Sequence, residues 1–518
     1  MRYLSRTEYS ILNIFTGLGG YILNTILGFI CRMFFVHYLA VDYLGVNGLF
    51  TNVLSMLSLA ELGVGGAIVY ALYKPLANHD EEKIASLIQL YCKAYRLIGI
   101  TIGIIGLCLL PFLSIIITSR PNIEESIYLL YLINLFNTVI TYFYSYKSSL
   151  IIAAQQNYIV TGVNYIITIL QSIIQIVALV TTSNYLLYLI IQTIGTFLYN
   201  VIISKIADIK FPYINKKNIK PISKEETLKI FQNIKDLTIY KVSGLLVNST
   251  DNIIITFFDG LSITGITSNY SLLVNTLNGL FGQLFNGLTA SIGNHNAIES
   301  DEKKYELFSF LNMMNFWIYG WGTLGIFFCS NDLVKLFFGK EYVLPIYIPL
   351  VMALNFYTVG MQNAIWTYKH TLGLFHYGRF LQFLTGILNI IFSILLGKLF
   401  GVFGILFATF LARLFTNLWY DCYVVFKYGF HKSALVYFKK YIFYLFILIM
   451  AGVLIYIVLN VVNFIGIFGV ILKIVICSVL VNMIFIIFFF KKTEFKKLIF
   501  ILKNVTEIAR KRFITNSD

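Results

Sequence analysis

The chain has very little charge for its length. Only 12% of its 518 residues are Asp, Glu, Lys or Arg, whereas 58% are hydrophobic, and the mean hydropathy is +0.79. Soluble globular proteins carry about 25% charged residues, so this composition excludes a soluble domain. It predicts an all-α polytopic membrane protein, because a helix crosses the bilayer core with about 20 apolar residues.

Cysteine is scarce as well, and the cysteines lie far apart in the sequence. A disulfide framework or a zinc site needs paired cysteines or a Cys/His cluster, and neither pattern occurs. We therefore expect the cysteines to be small buried hydrophobes. The six are Cys31, Cys92, Cys108, Cys329, Cys422 and Cys477.

The sequence also lacks the motifs of an enzyme or an ATP-driven pump. No Gly-rich phosphate loop stands between a strand and a helix. The loops predicted to be external are too short to carry the acid and base groups of a polymerase or ligase. We expect no catalytic residue, no metal site and no cofactor beyond a coupling Na+ or H+, so a membrane polysaccharide polymerase is the less favoured alternative.

What the sequence does contain is a series of apolar segments separated by short polar turns. The first segment is too long for the apolar region of a signal peptide and lacks a small-residue cleavage site, so we expect it to remain as an anchor. The segments predict 14 transmembrane helices, at residues 12–39, 45–72, 92–118, 124–146, 158–181, 184–206, 235–258, 264–290, 306–330, 343–367, 374–398, 402–426, 436–459 and 463–490.

Lys and Arg are concentrated in alternate loops and in the tail. This pattern predicts a multi-pass plasma-membrane protein with both termini in the cytoplasm. The net charge of +15 then reflects loops that face an anionic leaflet, not nucleic-acid binding. The predicted external loops hold only Arg120, Lys335, Lys340 and Lys398.

Two groups of six predicted helices repeat at an offset of about 220 residues. Gly45 corresponds to Gly265, and Tyr146-Lys147 corresponds to Tyr368-Lys369. Both groups begin on the same side, which predicts two pseudo-symmetric lobes around a central cavity. The predicted parts are a lobe at 1–210, a cytoplasmic linker at 211–232, a second lobe at 233–430, two additional helices at 431–490 and a basic tail at 491–518.

Four of the charged residues inside or near the ends of the apolar segments are candidates for binding the substrate. An ionisable group within the membrane costs at least about 2.5–3.5 kcal/mol and usually faces a cavity. The cations suit a phosphate-bearing head group, although Arg32 and Lys241 could instead extend to the interface and Arg413 could pair with Asp421. The predicted substrate-binding residues are Arg32, Glu61, Lys241 and Arg413.

A second set of residues is rich in oxygen. Asn389 and Ser393 lie one helical turn apart and so share a face. Hard cations prefer oxygen ligands, which makes a Na+ or H+ coupling site one interpretation, and polar contacts between helices the other. The predicted coupling residues are Asp251, Asn389, Ser393 and Thr409.

The sequence resembles the Wzx-type oligosaccharide flippases of the MOP exporter superfamily. The resemblance is clearest to about residue 430. It is carried by LGVNGLF at 44–50, ELGVG at 61–65, NIIFSI at 389–394, GVFGI at 401–405, and WYD at 419–421 with KY at 427–428.

The resemblance implies two six-helix lobes, two extra helices and a central cavity. It implies that the chain flips an undecaprenyl-diphosphate-linked oligosaccharide between leaflets by alternating access, with cavity cations that hold the diphosphate. Membrane lipids and polysaccharide polymerase or assembly proteins are the expected partners, nucleic acid is not, and a monomer is expected. A multidrug or cation antiporter of the same superfamily is the main alternative.

Overall fold

The computed structural model describes residues 6–58, 78–117, 122–154, 156–216, 250–374, 377–460 and 466–500, with a few isolated positions between these ranges. Within them every regular element is a helix, which confirms the all-α membrane fold. The helices are α1 Arg6–Tyr38, α2 Val41–Leu57, α3 Glu81–Cys108, α4 Ile127–Tyr142, α5 Ser145–Ala153, α6 Asn157–Thr182, α7 Tyr185–Lys210, α8 Asp251–Ile298, α9 Asp301–Phe337, α10 Tyr347–Thr371, α11 Arg379–Phe415, α12 Asn417–Val424, α13 Leu435–Leu459 and α14 Gly466–Phe489.

Seven helices of the described chain are long and apolar enough to cross a bilayer. The number is eight if α4 and α5, which are bent by 44° relative to each other, form one span. One of the seven, Phe380–Gly429, covers two of the predicted segments. The multi-pass class is therefore established, whereas the total of 14 spans stays a prediction.

Two glycines reverse the chain inside stretches that are otherwise continuous helix. Gly260 has φ 87° and divides α8 into a first arm, 251–259, and a second arm, 261–298. Gly401 has φ 56° and divides α11 in the same way. Residues with a side chain rarely adopt positive φ, so glycine is suited to both reversals. Both lie at the predicted separators between segments.

Other helix boundaries follow from local capping. The Asp80 side chain accepts a hydrogen bond of 3.0 Å from the Lys83 backbone N–H and starts α3. Asn184 does the same for Leu187 at 2.9 Å and starts α7. Such caps satisfy backbone donors that the first helical turn leaves without partners.

The chain forms two compact units. Unit 1 comprises residues 1–269 and 382–409, and unit 2 comprises residues 270–381 and 410–518. The predicted lobes at 1–210 and 233–430 stay a prediction. The linker at 211–232 lies largely outside the described residues.

In unit 1, α2 crosses the second arm of α8 at backbone contact. A Cβ atom on Gly45 would lie 2.0 Å from the Leu261 carbonyl oxygen, and one on Gly265 would lie 2.7 Å from the Val41 carbonyl oxygen. Adding 220 to 41 and 45 gives 261 and 265, so the two contacts are equivalent under the predicted repeat offset. The helices therefore meet about a local pseudo-twofold axis, and glycine lets them approach this closely.

The core of unit 2 is aromatic. The ring of Phe316 on α9 stacks on Tyr444 of α13 at 4.5 Å and packs against Phe485 of α14 at 4.9 Å. Trp317 Nε1 donates to Asn482 Oδ1 at 2.7 Å. These contacts attach the last two helices to α9 and fix its orientation within the unit.

Candidate transport site

Arg32 lies in α1, six residues before the helix ends at Tyr38. Its Nε donates to Asn269 Oδ1 at 2.9 Å, and its Nη2 donates to the Ser268 hydroxyl. Both acceptors are neutral oxygens on the second arm of α8, close to the glycine crossing. The guanidinium is thus oriented by hydrogen bonds within unit 1.

The same crossing contains a second polar contact. Asp42, in the first turn of α2, accepts hydrogen bonds from the Ser262 hydroxyl and, at 2.7 Å, from the Asn122 backbone N–H. Residues 42 and 262 again differ by 220, so this pair also lies near the local axis. Asp42 was not among the predicted site residues, although its place at the start of a repeated helix is visible in the sequence.

The predicted oxygen-rich residues converge in unit 1. Asn389 Nδ2 donates to Thr409 Oγ1 at 2.9 Å, and Thr409 Oγ1 lies 3.4 Å from Asp251 Oδ2. Thr250, which sequence reasoning missed, donates to Asn389 Oδ1 at 3.2 Å. Three of the four predicted coupling residues therefore form one hydrogen-bonded cluster across both arms of α11 and the start of α8.

Ser393, the fourth predicted residue, is fully buried one turn from Asn389. Among the described residues its hydroxyl has no hydrogen-bond partner. The cluster offers one carboxylate together with hydroxyl and amide oxygens, which is the ligand chemistry that hard cations prefer. The described residues hold no group of three or more His, Cys, Asp or Glu side chains that could bind a transition metal.

Sequence reasoning missed a buried ion pair in unit 2. Lys369 Nζ lies 2.5 Å from Asp421 Oδ1, and the two side chains are only 7% and 1% exposed. Trp366 Nε1 donates to the other oxygen, Oδ2, at 3.0 Å. Burying two charges is favourable only when they are paired and hydrogen-bonded, and both conditions are met here.

Unit 1 contains a similar ion pair, in which only the lysine is a repeat equivalent. Lys147 at the start of α5 lies 2.7 Å from Asp208 near the end of α7. Lys147 and Lys369 are the lysines of the two Tyr-Lys pairs that match in the repeat. The sequence signal for the buried pair was therefore present in the repeat, but it did not indicate which carboxylate each lysine contacts.

Three predicted substrate-binding residues remain to be placed. Arg413 is 8% exposed and lies in the last turn of α11, just before the backbone leaves helical geometry at Thr416, with φ −126° and ψ −96°. Its predicted alternative partner, Asp421, is held by Lys369 and Trp366. Glu61 and Lys241 lie outside the described residues.

No protein-family model and no curated protein sequence matches the chain. Solved structures do match. The lipid II flippase MurJ, in an inward closed conformation, has a TM-score of 0.68 at 14% identity, over 93% of this chain and 99% of that one. An inward-facing multidrug resistance MATE family transporter of the MOP superfamily has a TM-score of 0.54 at 14% identity, over 77% and 94%. The chain has the fold of the MOP-superfamily transporters.

The structure of a MATE transporter of Vibrio cholerae is also similar to this chain, with a TM-score of 0.56 at 11% identity over 83% of this chain and 99% of that one. These structural neighbours are transporters and a flippase, not enzymes. At such low identity the likeness concerns the MOP fold alone. The resemblance to the Wzx-type flippases is a feature of the sequence, and these structures do not test it.

Proposed function

We propose that the chain flips an undecaprenyl-diphosphate-linked oligosaccharide from the inner to the outer leaflet of the plasma membrane, for surface polysaccharide biosynthesis. The observation that carries this proposal is Arg32. A guanidinium in a membrane-spanning helix, oriented by Asn269 and Ser268, is a bidentate donor suited to phosphate oxygens.

The physical task is to move a charged head group past hydrocarbon. Transferring an ionised group into an apolar medium is very unfavourable unless it is paired and hydrogen-bonded. Alternating access avoids this cost, because the head group crosses in a polar cavity while the polyprenyl tail stays in the bilayer. Cavity cations must bind the diphosphate only moderately, since a site that binds too tightly would not release it on the outer side.

The comparison with solved structures supports a lipid-linked substrate. The MurJ structure is named for flipping lipid II, and it matches 93% of this chain. We assign Arg413 to the same phosphate-binding role as Arg32 because it too is an arginine within a predicted membrane segment, and its side chain is only 8% exposed. Glu61 and Lys241 complete the proposed substrate-binding set, and polysaccharide assembly proteins are the proposed partners.

The Asp251–Thr409–Asn389 cluster suggests that transport is coupled to a cation. In our proposal Na+ or H+ binds at Asp251 and is surrounded by the hydroxyl and amide oxygens of Thr409 and Asn389, with Ser393 one turn away. The same cluster would suit a multidrug antiporter, which is the second candidate function. That candidate requires an acidic cavity for cationic drugs, whereas Arg32 and Arg413 are cationic.

The deciding experiment assigns the leaflet of a lipid-linked oligosaccharide in cells depleted of the protein. We expect accumulation in the inner leaflet, reversed by the wild-type chain but not by Arg32→Ala or Arg413→Ala. Arg96→Ala, at an exposed arginine of α3, is the matched control and should restore transport. Normal leaflet distribution in depleted cells, together with efflux of cationic drugs, would favour the antiporter instead.

A further inference from the structure

The faces of α10 and α12 that carry the buried ion pair of unit 2, here called the seam, also carry two buried amide side chains. Gln362 on α10 is 1% exposed, and neither its amide oxygen nor its amide nitrogen has a hydrogen-bond partner among the described residues. Asn417 on α12 is 8% exposed, and its Oδ1 likewise has none. Buried amides are almost always hydrogen-bonded, so two such groups require an explanation.

The spacing places the two amides on the faces that carry the ion pair. Gln362 precedes Trp366 by four residues, and Asn417 precedes Asp421 by four. Each amide therefore lies one helical turn from a residue that takes part in the hydrogen bond between Trp366 and Asp421. Asp421 accepts the Trp366 N–H at 3.0 Å. The row of polar side chains therefore extends one turn from the ion pair along both helices.

The direction of the two segments brings the amides to the same level. Asp421 contacts Trp366 and Lys369, whereas a Cβ on Gly429, eight residues later, would lie 2.6 Å from the Leu372 side chain. Later residues of one segment thus contact later residues of the other, so the two segments run in parallel. One turn before this contact, the residue on α12 is Asn417 and the nearby part of α10 contains Gln362.

We infer that Gln362 and Asn417 form a subsite that hydrogen-bonds the first sugar of the lipid-linked head group, an inference that rests on the proposed function. A carboxamide donates through nitrogen and accepts through oxygen, and a sugar hydroxyl or acetamido group can pair with both atoms. Arg413, four residues before Asn417 in the sequence, would hold the adjacent phosphate. Alternating access requires groups that are covered in one state and exposed in another, which accounts for their burial here.

The other occupant of such a seam is ordered water. Buried water also binds polar groups that lack protein partners, but it would not distinguish a glycosylated carrier from a sugar-free one. A sugar subsite makes that distinction, because removing its amides affects only the glycosylated carrier. The two occupants therefore differ in a measurable way.

The test uses the full chain in lipid nanodiscs with two probes, undecaprenyl diphosphate and undecaprenyl-diphosphate N-acetylglucosamine. We expect Gln362→Leu and Asn417→Leu each to weaken binding of the glycosylated probe about tenfold and to leave the sugar-free probe unchanged. Arg413→Ala should weaken both. The matched control is Thr358→Val, one turn away on the same face of α10, whose hydroxyl already donates to the Leu354 carbonyl oxygen at 2.7 Å.

The outcomes separate this inference from the proposed function. If wild type binds both probes and neither Leu variant changes the glycosylated affinity, the seam holds water and the sugar subsite is wrong. If wild type binds neither probe, the flippase proposal itself fails and the subsite fails with it. If Gln362→Leu does not fold, the binding of the two probes is compared in Gln362→Glu and Asn417→Leu instead. The thermal stability of each variant is recorded alongside.

Discussion

Gly45 and Gly265 face each other where α2 crosses the second arm of α8. A Cβ on Gly265 would lie 2.9 Å from the backbone nitrogen of Gly45, a distance that real Cβ atoms essentially never show. The two glycines are repeat equivalents, and each approaches the backbone that carries the other. Arg32 is hydrogen-bonded by residues of the same α8 arm, so the crossing also positions the proposed phosphate-binding group.

Enlarging either glycine should separate these helices. We predict that Gly45→Val and Gly265→Val each destabilise the protein by about 1–3 kcal/mol and abolish transport, because Arg32 loses its orientation. Thermal unfolding in detergent and a surface polysaccharide assay measure the two effects. Gly28→Ala on α1 is the control, since its Cβ would meet nothing within 4 Å; equal losses in all three variants would contradict the role of the crossing.

Breaking the Lys369–Asp421 pair should destabilise the protein, whereas replacing both residues by apolar ones should change its stability much less. Removing one partner with Lys369→Met or Asp421→Leu leaves a buried charge and should cost about 3–5 kcal/mol, whereas the double variant should recover most of the loss. Melting temperatures of the purified variants test this. The more exposed Lys147–Asp208 pair provides the comparison, and we expect smaller effects there.

Arginine at position 32 should not be replaceable by lysine. Arg32→Lys keeps the positive charge but loses the planar bidentate donor, so we predict strongly reduced surface polysaccharide with normal amounts of protein in the membrane. Wild-type polysaccharide in this variant would mean that only the charge matters.

Cation binding at the oxygen-rich cluster should stabilise the folded chain. A ligand that binds only the native state raises the melting temperature, so replacing choline chloride by NaCl at equal ionic strength should stabilise the wild type. Asp251→Asn and Thr409→Val should each abolish the rise in melting temperature that NaCl produces. A wild type that responds only to pH would indicate H+ coupling instead.

Glu494 gives a pH-dependent prediction outside the membrane-spanning helices. Burial raises its pKa, but hydrogen bonds from Ser309 and Lys440 outweigh this and lower the pKa to about 2. A folded-state pKa below the ordinary 4.5 stabilises the fold at pH 7, and this contribution is lost as pH falls from about 4.5 towards 2.

We therefore predict that Glu494→Gln lowers the melting temperature at neutral pH, and that the difference from wild type shrinks below pH 4.5. Glu306→Gln is the control, because Glu306 is exposed in its pair with Lys497. A difference that stays constant with pH would show that packing, rather than charge, explains the effect of the Glu494 substitution.

Sequence alone determined the features that depend on local patterns. Long apolar stretches predicted a multi-pass helical membrane protein, and turn chemistry predicted the chain reversal at Gly260. The offset of 220 between Gly45 and Gly265 predicted a repeat whose equivalent residues meet in unit 1. Such features follow from residues close together in the chain, or from motifs that recur at a fixed offset in the residue order.

Tertiary structure decided which distant side chains meet. Lys369 lies between two of the predicted segments, 343–367 and 374–398, yet it is buried against Asp421, 52 residues later. Thr250 joined the oxygen-rich cluster through Asn389, 139 residues away. A hydrogen bond or ion pair depends on distances of about 3 Å, and a one-dimensional pattern cannot set that distance; only the packing of helices in space does so.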